Sequence, residues 1–382
     1  MEQKSYIPQL TGVRAMAAFM VYVHNIPMTG VDVPPWLQAL FKELHIGVTI
    51  FFVLSGFLIY WNYYDVASLS RAWWSRYVNN RVSRLYPLYF IITFITLVKQ
   101  FDIDSLSWFL NLTFLKGFSD PLKFGGVAQG WSLTPEWTFY LMAPLLFVAI
   151  RRYGFLIPLA MVYLLGGILM LIGYLVNYMQ FFQGVGFMTG YTFFGRAFEF
   201  FVGMFLARYL TRSGSEAPRS SGSWMTWISL GMMAAAVYLM SLYRMEGYLY
   251  GVDHPVGRTV NNLVLPLAIA CLFLGLIREQ SLVRRVLDSR LVTLLGKTSY
   301  AFYLIHMGVI QMFVFDLMPG EGLAHYALVF LVINILAVGL YFLFELPLNQ
   351  WMRRRLISST EKAQARRVSA DTVTNAQPTR PA

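Results

Sequence analysis

Charged residues are scarce in this chain, and cysteine is almost absent. Only 13% of its 382 residues are charged, and Cys271 is the one cysteine. Because soluble globular domains carry about a quarter charged residues, the low charge excludes an ordinary soluble domain. A single cysteine excludes an intramolecular disulfide, so the expected role of Cys271 is that of a small apolar filler.

The histidines lack the spacing of a metal site. Neither an HxxxH nor a CxxC pattern occurs, and the five histidines are scattered: His24, His45, His254, His306 and His325. Protein zinc sites combine closely spaced ligands of these types. We therefore expect no metal.

Long apolar runs are what the chain has in abundance. Hydrophobic residues make up 57% of it, and the mean hydropathy is +0.54. Runs of about 20 apolar residues, enough to cross a hydrocarbon core, recur without the alternation of a β-barrel. The sequence predicts an all-α polytopic membrane protein of about ten transmembrane helices, at 13–29, 46–65, 86–103, 132–150, 155–178, 190–207, 224–242, 260–277, 297–316 and 326–346.

The positive residues behind the net charge of +11 are unevenly divided between the two sides of the predicted spans. With these spans, 22 of the 30 Lys and Arg residues fall on the side of the N-terminus and six on the other side. The positive-inside rule then predicts that both termini are cytoplasmic. Topology accounts for the positive charge, so no nucleic-acid partner is expected. The sequence does not indicate an oligomeric state.

The polar segments divide the chain into a membrane domain at 1–350 and a basic cytoplasmic tail at 351–382. The tail and the Ser/Gly/Pro-rich loop at 213–223 have compositions typical of disorder. The first apolar run contains Arg14 and His24 and has no convincing cleavage site, so we interpret it as a retained helix rather than a signal peptide.

The few ionisable residues within the spans need an explanation. Each costs about 2.5–3.5 kcal/mol on insertion scales, which calls for a partner, an aqueous cavity or a function. His24 lies ten residues beyond Arg14, about 15 Å deeper along a helix and near the bilayer centre. An imidazole there suits a general base, but a neutral histidine hydrogen-bonded to a neighbouring helix is an equally good interpretation.

Two segments next to the second span have both structural and functional interpretations. The Ser55-Gly56 pair has the small side chains that let helices pack closely. The segment 71–90 is typical of an interface helix that binds anionic membrane lipids through its arginines and aromatic residues. Arg81 and Arg84 share one helical face at the cytoplasmic mouth, where they could clamp the phosphates of a nucleotide-like donor.

Polar residues in spans four, six and nine also need an explanation. Trp131 and Ser132 begin span four, and Glu136 follows within an aromatic helix, so it must find a distant partner or contact a wet cavity. Arg196 and Glu199 are spaced to form a structural ion pair. In span nine, Tyr303 and His306 lie one turn apart, with His306 at a depth similar to that of His24.

The sequence resembles the membrane-bound acyltransferase family 3 in seven blocks that occur in the same order. They are LTGVRAMAAFMVYVH at 10–24, GVTIFFVLSGFLI at 47–59, RVSRLYPLY at 81–89, WSLTPEWTFYLMAP at 131–144, RAFEFFVGM at 196–204, GKTSYAFYLIH at 296–306 and ELP at 345–347. The resemblance covers about 10–350. It implies about ten spans in a bacterial cytoplasmic (inner) membrane and O-acylation of sugars in cell-surface or lipid-linked glycans, with cytoplasmic acyl-CoA, usually acetyl-CoA, as donor.

The resemblance also implies roles for individual residues. Arg14 and His24 match the Arg and His of the first-helix motif, of which the His is the essential one, and Arg81 and Arg84 match the paired arginines. Many members have ten residues between the motif Arg and His, whereas nine separate them here. The resemblance is to the stand-alone type, without a fused hydrolase-like domain.

The expected mechanism follows from these matches. Acyl-CoA phosphates would bind Arg81, Arg84 and Arg14, and His24 would act as general base or transient acyl carrier. We place Glu136 with the catalytic residues, near the acceptor entrance. Acceptor binding is assigned to a further set: Trp131, Ser132, Tyr303 and His306.

Two other classes of function remain open. A transporter or flippase of a glycan or small solute would also use intramembrane His, Arg and Glu, although the sequence shows no internal repeat and no Gly/Pro-broken helix pair in corresponding halves. A receptor or scaffold would leave the arginines and histidines unexplained. The external loops 104–131 and 243–259 are the expected sites of acceptor selectivity.

Overall fold

The protein is a bundle of α-helices in a computed structural model that describes residues 6–101, 104–213 and 222–355. No β-strand occurs within these ranges. The helices are α1 (Pro8–Asn25), α2 (Pro35–Lys42), α3 (Gly47–Tyr63), α4 (Arg71–Lys99), α5 (Ser105–Leu112), α6 (Leu133–Tyr153), α7 (Leu156–Val176), α8 (Val185–Tyr191), α9 (Phe193–Ser213), α10 (Trp224–Met245), α11 (Pro255–Thr259), α12 (Leu265–Arg278), α13 (Leu282–Leu287), α14 (Arg290–Ile305), α15 (Val309–Leu317) and α16 (Gly322–Leu340).

The prediction of a helical multi-pass membrane protein is confirmed. Seven helices are long and apolar enough to cross a membrane, and a bent pair raises the number to eight. Each of the ten predicted spans overlaps a helix. The helices α1 and α9, which carry His24 and the Arg196–Glu199 pair, are not among the seven. The number of ten spans and the cytoplasmic position of the termini stay predictions.

The segment 71–90 is not a separate interface helix. It forms the first two thirds of α4, a continuous helix of 29 residues that contains Pro87 and spans about 43 Å at 1.5 Å per residue. The helix begins where the Ser70 hydroxyl accepts the Trp73 backbone N–H. Arg81 and Arg84 therefore lie in the middle of a long helix rather than on a peripheral one.

The ninth predicted span is broken rather than continuous. The axes of α14 and α15 meet at 89°, and Gly308, between them, has φ +85°, which a glycine adopts without strain. The Gln129 side-chain amide donates to the freed carbonyls of Leu304 (2.6 Å) and Met307 (3.2 Å). These bonds satisfy backbone groups that a broken helix would otherwise leave unpaired in an apolar setting.

The predicted mobile segments fall largely outside the described residues. This applies to 214–221 in the predicted loop and to 356–382 in the predicted tail. The first five tail residues, 351–355, continue the last helix, which is helical through to Arg355.

Glycines bring the central helices into backbone contact. A Cβ on Gly56 of α3 would lie 2.1 Å from the Phe200 carbonyl oxygen of α9, and one on Gly203 of α9 would lie 2.0 Å from the Val53 carbonyl oxygen of α3. Gly296 of α14 approaches the Thr11 carbonyl of α1 in the same way. The prediction that the Ser55-Gly56 pair serves close packing is confirmed, and Ser55 has a further contact described below.

Replacing Gly56 should destabilise the bundle. We expect Gly56→Ala to cost about 1–3 kcal/mol, because its methyl group would force α3 away from α9. Gly167→Ala in α7 is the matched control: no atom lies within 4 Å of its added methyl group. Thermal unfolding of the detergent-purified variants measures both, and equal melting temperatures would contradict the close contact.

Candidate active site

Two cavities meet at the centre of the bundle. The smaller, of about 70 Å³, is the arginine cavity, named for Arg14, Arg81 and Arg84 in its lining. The larger, of about 430 Å³, is the histidine cavity, named for His24 and His45. Val48 and Tyr303 line both cavities, so the two spaces share a wall at these residues.

The helix α1 reaches from one cavity to the other. Arg14 lies in its second turn and lines the arginine cavity, whereas His24 lies in its last turn and lines the histidine cavity. The step of ten positions from Arg14 to His24 corresponds to about 15 Å along the helix. His24 is thus at the end of its helix rather than in the middle of a longer span.

The three predicted donor-binding arginines come together. Arg81 donates from Nη2 to the Tyr63 hydroxyl at 2.6 Å. Arg14 and Arg84 make no hydrogen bond to the part of the chain that the structure describes, although both line the cavity. A guanidinium group without protein partners, facing a cavity, is suited to bind an anion such as a phosphate.

Glu136 lies in the arginine cavity and not at the entrance to the histidine cavity. Its Oε1 accepts hydrogen bonds from the Ser55 hydroxyl at 2.6 Å and from the Tyr140 hydroxyl. It makes no ion pair within the described ranges, but it contributes negative charge beside Arg14. Both features that the sequence required of Glu136, distant partners and a cavity, are therefore present.

Glu345 is a residue of the arginine cluster that sequence reasoning did not single out. It is 8% exposed, ends the π-helical turn Tyr341–Glu345, and acts electrostatically on Arg14 and Arg84. Its membership of the ELP block at 345–347 is the only feature of the sequence that marks Glu345. Arg14, near the start of α1, and Glu345, near the end of the last helix, therefore lie close together in space.

His24 has a fixed tautomer. Its Nδ1 lies 2.6 Å from the Lys42 carbonyl oxygen, and because a carbonyl can only accept, Nδ1 carries the proton. In the neutral ring, Nε2 is then left with a lone pair and makes no hydrogen bond to a described residue. Such an atom can take a proton from a hydroxyl group or attack a carbonyl carbon.

The side chain of Lys42 also contacts the end of α1. Its ammonium group donates to the carbonyl oxygens of His24 and Ile26, both at 2.8 Å. These carbonyls belong to the helix C-terminus, where positive charge is favourable. The bonds in both directions between Lys42 and His24 fix the position of the imidazole ring.

A second histidine, missed by sequence reasoning, faces the same cavity. The ring of His45 lies 5.5 Å from that of His24, edge to face, and the ring of Tyr250 lies 5.1 Å from His24. His45 Nε2 contacts Glu43 Oε2 at 3.1 Å. Burial raises the pKa of the Tyr250 phenol, so it stays neutral beside the histidines.

The predicted acceptor residues Trp131, Ser132 and Tyr303 lie at or near the junction. Trp131 lines the histidine cavity, and Ser132 lines the arginine cavity. The hydroxyl groups of Ser132 and Tyr303 are 2.7 Å apart, and both are within hydrogen-bonding distance of the Gln129 carbonyl oxygen. The two hydroxyl groups therefore form a polar contact in the wall between the cavities.

His306 lies behind the cavities rather than in their lining. It is fully buried, its Nδ1 donates to the Tyr303 carbonyl oxygen at 2.8 Å, and its Nε2 accepts from the Asn25 amide at 3.3 Å. Both ring nitrogens are thus used within the protein. Asn25 follows His24 and lines the histidine cavity, so His306 supports two lining residues instead of presenting a free nitrogen.

The predicted Arg196–Glu199 ion pair is confirmed. Arg196 Nε donates to Glu199 Oε1 at 2.7 Å, and Nη2 donates to Oε2 at 3.0 Å. The ion pair is therefore bidentate, and Glu199 is fully buried. The same Nη2 also contacts the Thr49 hydroxyl at 2.8 Å. Arg196 additionally lines the histidine cavity, which the ion-pair interpretation alone did not predict.

The loop before α6 is anchored to the site by a buried lysine. The Lys116 ammonium donates to the carbonyl oxygens of Gly125 and Val127, the latter at 2.7 Å, and burial lowers the pKa of Lys116 to about 7. The anchored segment carries Phe124 and Gln129 to the histidine cavity.

Within the described residues, no group of three or more His, Cys, Asp or Glu side chains could hold a metal ion.

Known proteins similar to this chain are acyltransferases by name. Acyltransferase MdmB of Streptomyces mycarofaciens is 26% identical, over 91% of this chain and 93% of that protein. A putative peptidoglycan O-acetyltransferase, YrhL of Bacillus subtilis (strain 168), is 31% identical over 37% of this chain and 24% of that protein. No solved structure matches the chain.

The match to a protein family covers nearly the whole chain. Residues 7–345 match the acyltransferase domain, a range that includes both cavities, Arg14, His24 and Glu345. The resemblance in the seven sequence blocks is therefore confirmed, and the chain belongs to the acyltransferase 3 family.

Proposed function

We propose that this protein transfers an acyl group, in the first instance acetyl, from cytoplasmic acyl-CoA to a sugar hydroxyl in a cell-surface or lipid-linked glycan. It would act in the bacterial cytoplasmic membrane with both termini in the cytoplasm. The observation that carries the proposal is the junction of an arginine-lined cavity with a second cavity in which His24 has a free Nε2.

The charge of the arginine cavity supports an anionic donor. Three guanidinium groups face two carboxylates there, Glu136 and the nearby Glu345, so the cluster keeps a formal positive charge. Acyl-CoA combines phosphates with a long flexible arm that ends in the thioester. If Arg14 and Arg84 bind the phosphates, the arm would extend past Tyr303, which lines both cavities, toward His24.

The lining of the histidine cavity supports a neutral sugar as acceptor. Aromatic rings of Phe124, Trp131, Tyr191 and Tyr250 share the wall with amide groups and with Arg196, whose charge Glu199 balances. Apolar and aromatic walls with a few placed polar groups are typical of small-molecule sites. The name of the Bacillus subtilis relative, an O-acetyltransferase of peptidoglycan, supports acetyl transfer to a glycan hydroxyl.

His24 supplies the reactive lone pair in this mechanism. As general base it would take the hydroxyl proton while the oxygen attacks the thioester carbon; as acyl carrier it would attack that carbon itself. In either case the C–S bond breaks, an ester forms, and the proton passes to the CoA sulfur. The Lys42 carbonyl supports this role, because it accepts the Nδ1 proton and so leaves the lone pair on Nε2.

A transporter or flippase is the second candidate. The break between α14 and α15, beside two cavities that share a wall, is a feature of transport sites as well. Acyl-CoA turnover by the purified protein separates the candidates: a transporter would release no CoA when an acceptor sugar is added.

His24→Gln should abolish acyl transfer. We expect a loss of about 100-fold or more, because the substituted side chain has no basic nitrogen in this position. The assay is transfer of labelled acetyl from acetyl-CoA to a sugar acceptor by purified protein. His325→Gln, which changes a histidine that lines neither cavity, should retain activity. Full activity of His24→Gln at normal abundance would refute the role of His24.

Arg84→Gln should weaken the binding of acyl-CoA selectively. Loss of charge-assisted bonds to a phosphate, each about 1.5–3 kcal/mol, should raise KM for acetyl-CoA about 10- to 100-fold. Acetyl-pantetheine, which lacks the nucleotide and its phosphates, should show the same KM with both proteins. Arg152→Gln changes an exposed arginine outside the cavities and serves as control. An equal effect on both donors would show that Arg84 does not bind phosphate.

A further inference from the structure

His45 lines the histidine cavity and contacts the buried Glu43, and the proposed function has used neither side chain. We propose that His45, oriented by Glu43, is a second catalytic residue, which takes the proton of the acceptor hydroxyl, while His24 carries the acyl group. This inference rests on the proposed function, which leaves general base and acyl carrier as alternative roles of His24, and it assigns one role to each histidine.

The contact between Glu43 and His45 is that of a carboxylate that orients an imidazole. Glu43 is fully buried, and its Oε2 lies 3.1 Å from His45 Nε2. Because the carboxylate accepts, Nε2 carries the proton and Nδ1 has the lone pair. The His45 side chain is 18% exposed and lines the cavity, and its Nδ1 makes no hydrogen bond to a described residue.

The position of Glu43 is fixed from a second direction. Its Oε1 accepts the Gly251 backbone N–H at 2.8 Å, so the carboxylate joins the turn Glu43–Ile46 to the turn Gly251–Asp253. Tyr250, next to this contact, places its ring against both histidines, 5.1 Å from His24 and 6.4 Å from His45. A buried acid that receives two N–H groups holds its imidazole rigidly, as catalysis requires.

The two imidazoles differ in the groups that contact their protonated nitrogens. If His45 accepts a proton at Nδ1, the resulting imidazolium faces the negative charge of Glu43, the arrangement that stabilises a protonated base in hydrolytic triads. His24 Nδ1 bonds to the neutral Lys42 carbonyl, the Lys42 ammonium donates to the His24 backbone oxygen, and no carboxylate bonds to His24 among the described residues. His45 Nδ1 is therefore the nitrogen with a carboxylate across the ring to support a proton, and His24 Nε2 is the one left as nucleophile.

The reaction would proceed in two balanced steps. In the first, His24 Nε2 attacks the thioester carbon, the C–S bond breaks, and CoA leaves as the thiolate. In the second, the acceptor oxygen attacks the acyl carbon as its proton moves to His45 Nδ1, and the bond from the acyl carbon to Nε2 breaks. The proton on His45 then neutralises the thiolate. The charge-assisted bond from His24 Nδ1–H to the Lys42 carbonyl stabilises the cationic acyl-imidazole between the steps.

The experiment separates the two steps. Purified full-length protein is assayed for transfer of acetyl to a sugar acceptor and, without acceptor, for exchange of labelled CoA into acetyl-CoA. The exchange requires only the first step. The variants are His45→Gln, His45→Ala, Glu43→Gln and His24→Gln, with His325→Gln as the control histidine outside both cavities.

We expect His45→Gln to lose about 100-fold or more of transfer and to keep the exchange within about threefold of the wild type. Glu43→Gln should lower kcat for transfer without raising KM for the acceptor, since Glu43 acts through His45. Added imidazole should restore part of the transfer activity in His45→Ala. His24→Gln should lose both reactions, and His325→Gln should lose neither.

Three results would overturn the inference. Transfer at the wild-type rate by His45→Gln would show that His45 takes no proton. Loss of transfer and exchange in equal proportion would show that His45 only maintains the structure. Transfer by the wild type without any exchange would exclude His24 as acyl carrier. Each leaves the proposed function standing, whereas a wild-type protein that forms no acylated sugar would refute the proposed function itself.

Discussion

The hydrogen bonds between His24 and Lys42 set the chemistry available at the centre of this protein. The Lys42 carbonyl accepts the proton on Nδ1 and thereby leaves a lone pair on Nε2. The Lys42 ammonium, bonded to the last carbonyls of α1, prevents the helix end from fraying and the ring from turning. A histidine held in this way presents one defined nitrogen to the larger cavity, and the other features of the site are arranged around that nitrogen.

The two cavities differ in charge although they share a wall. The arginine cavity holds guanidinium groups that the protein leaves without hydrogen-bond partners among the described residues, as at Arg14 and Arg84. In the histidine cavity Glu199 balances the charge of Arg196, and the lining holds one further residue of each sign, Arg258 and Asp253. An anionic molecule would be drawn to the first cavity and a neutral one to the second, so a two-substrate reaction has a site for each.

The break in the ninth span gives the junction its polar groups. Had α14 continued straight through Gly308, the carbonyls of Leu304 and Met307 would be bonded within the helix, and Gln129 would have no role as their donor. Instead, Gln129 connects the break to the segment before α6. Its own carbonyl oxygen lies within hydrogen-bonding distance of the Tyr303 hydroxyl, in the wall between the cavities. The break cannot be predicted from the sequence, because a single glycine in an apolar run is compatible with a continuous helix.

Much of the fold and part of the site could be read from local patterns. Apolar runs long enough to cross a membrane identify the helices, since hydrocarbon excludes unpaired backbone groups. A charge at membrane depth marks a functional position, which singled out His24 and Glu136, and the spacing of Arg196 and Glu199 identified their ion pair.

The helices, the family and the residues that need partners can therefore be identified from the amino-acid sequence, whereas the partners themselves follow from the tertiary fold. The Lys42 carbonyl that selects the tautomer of His24 is a backbone atom, and no residue type encodes its position. Glu43 and His45 lie in an ordinary-looking turn, and they become a pair at the cavity only because α2 packs beside the end of α1. Contacts between distant segments create a defined protonation state, and such contacts leave no periodic pattern along the chain.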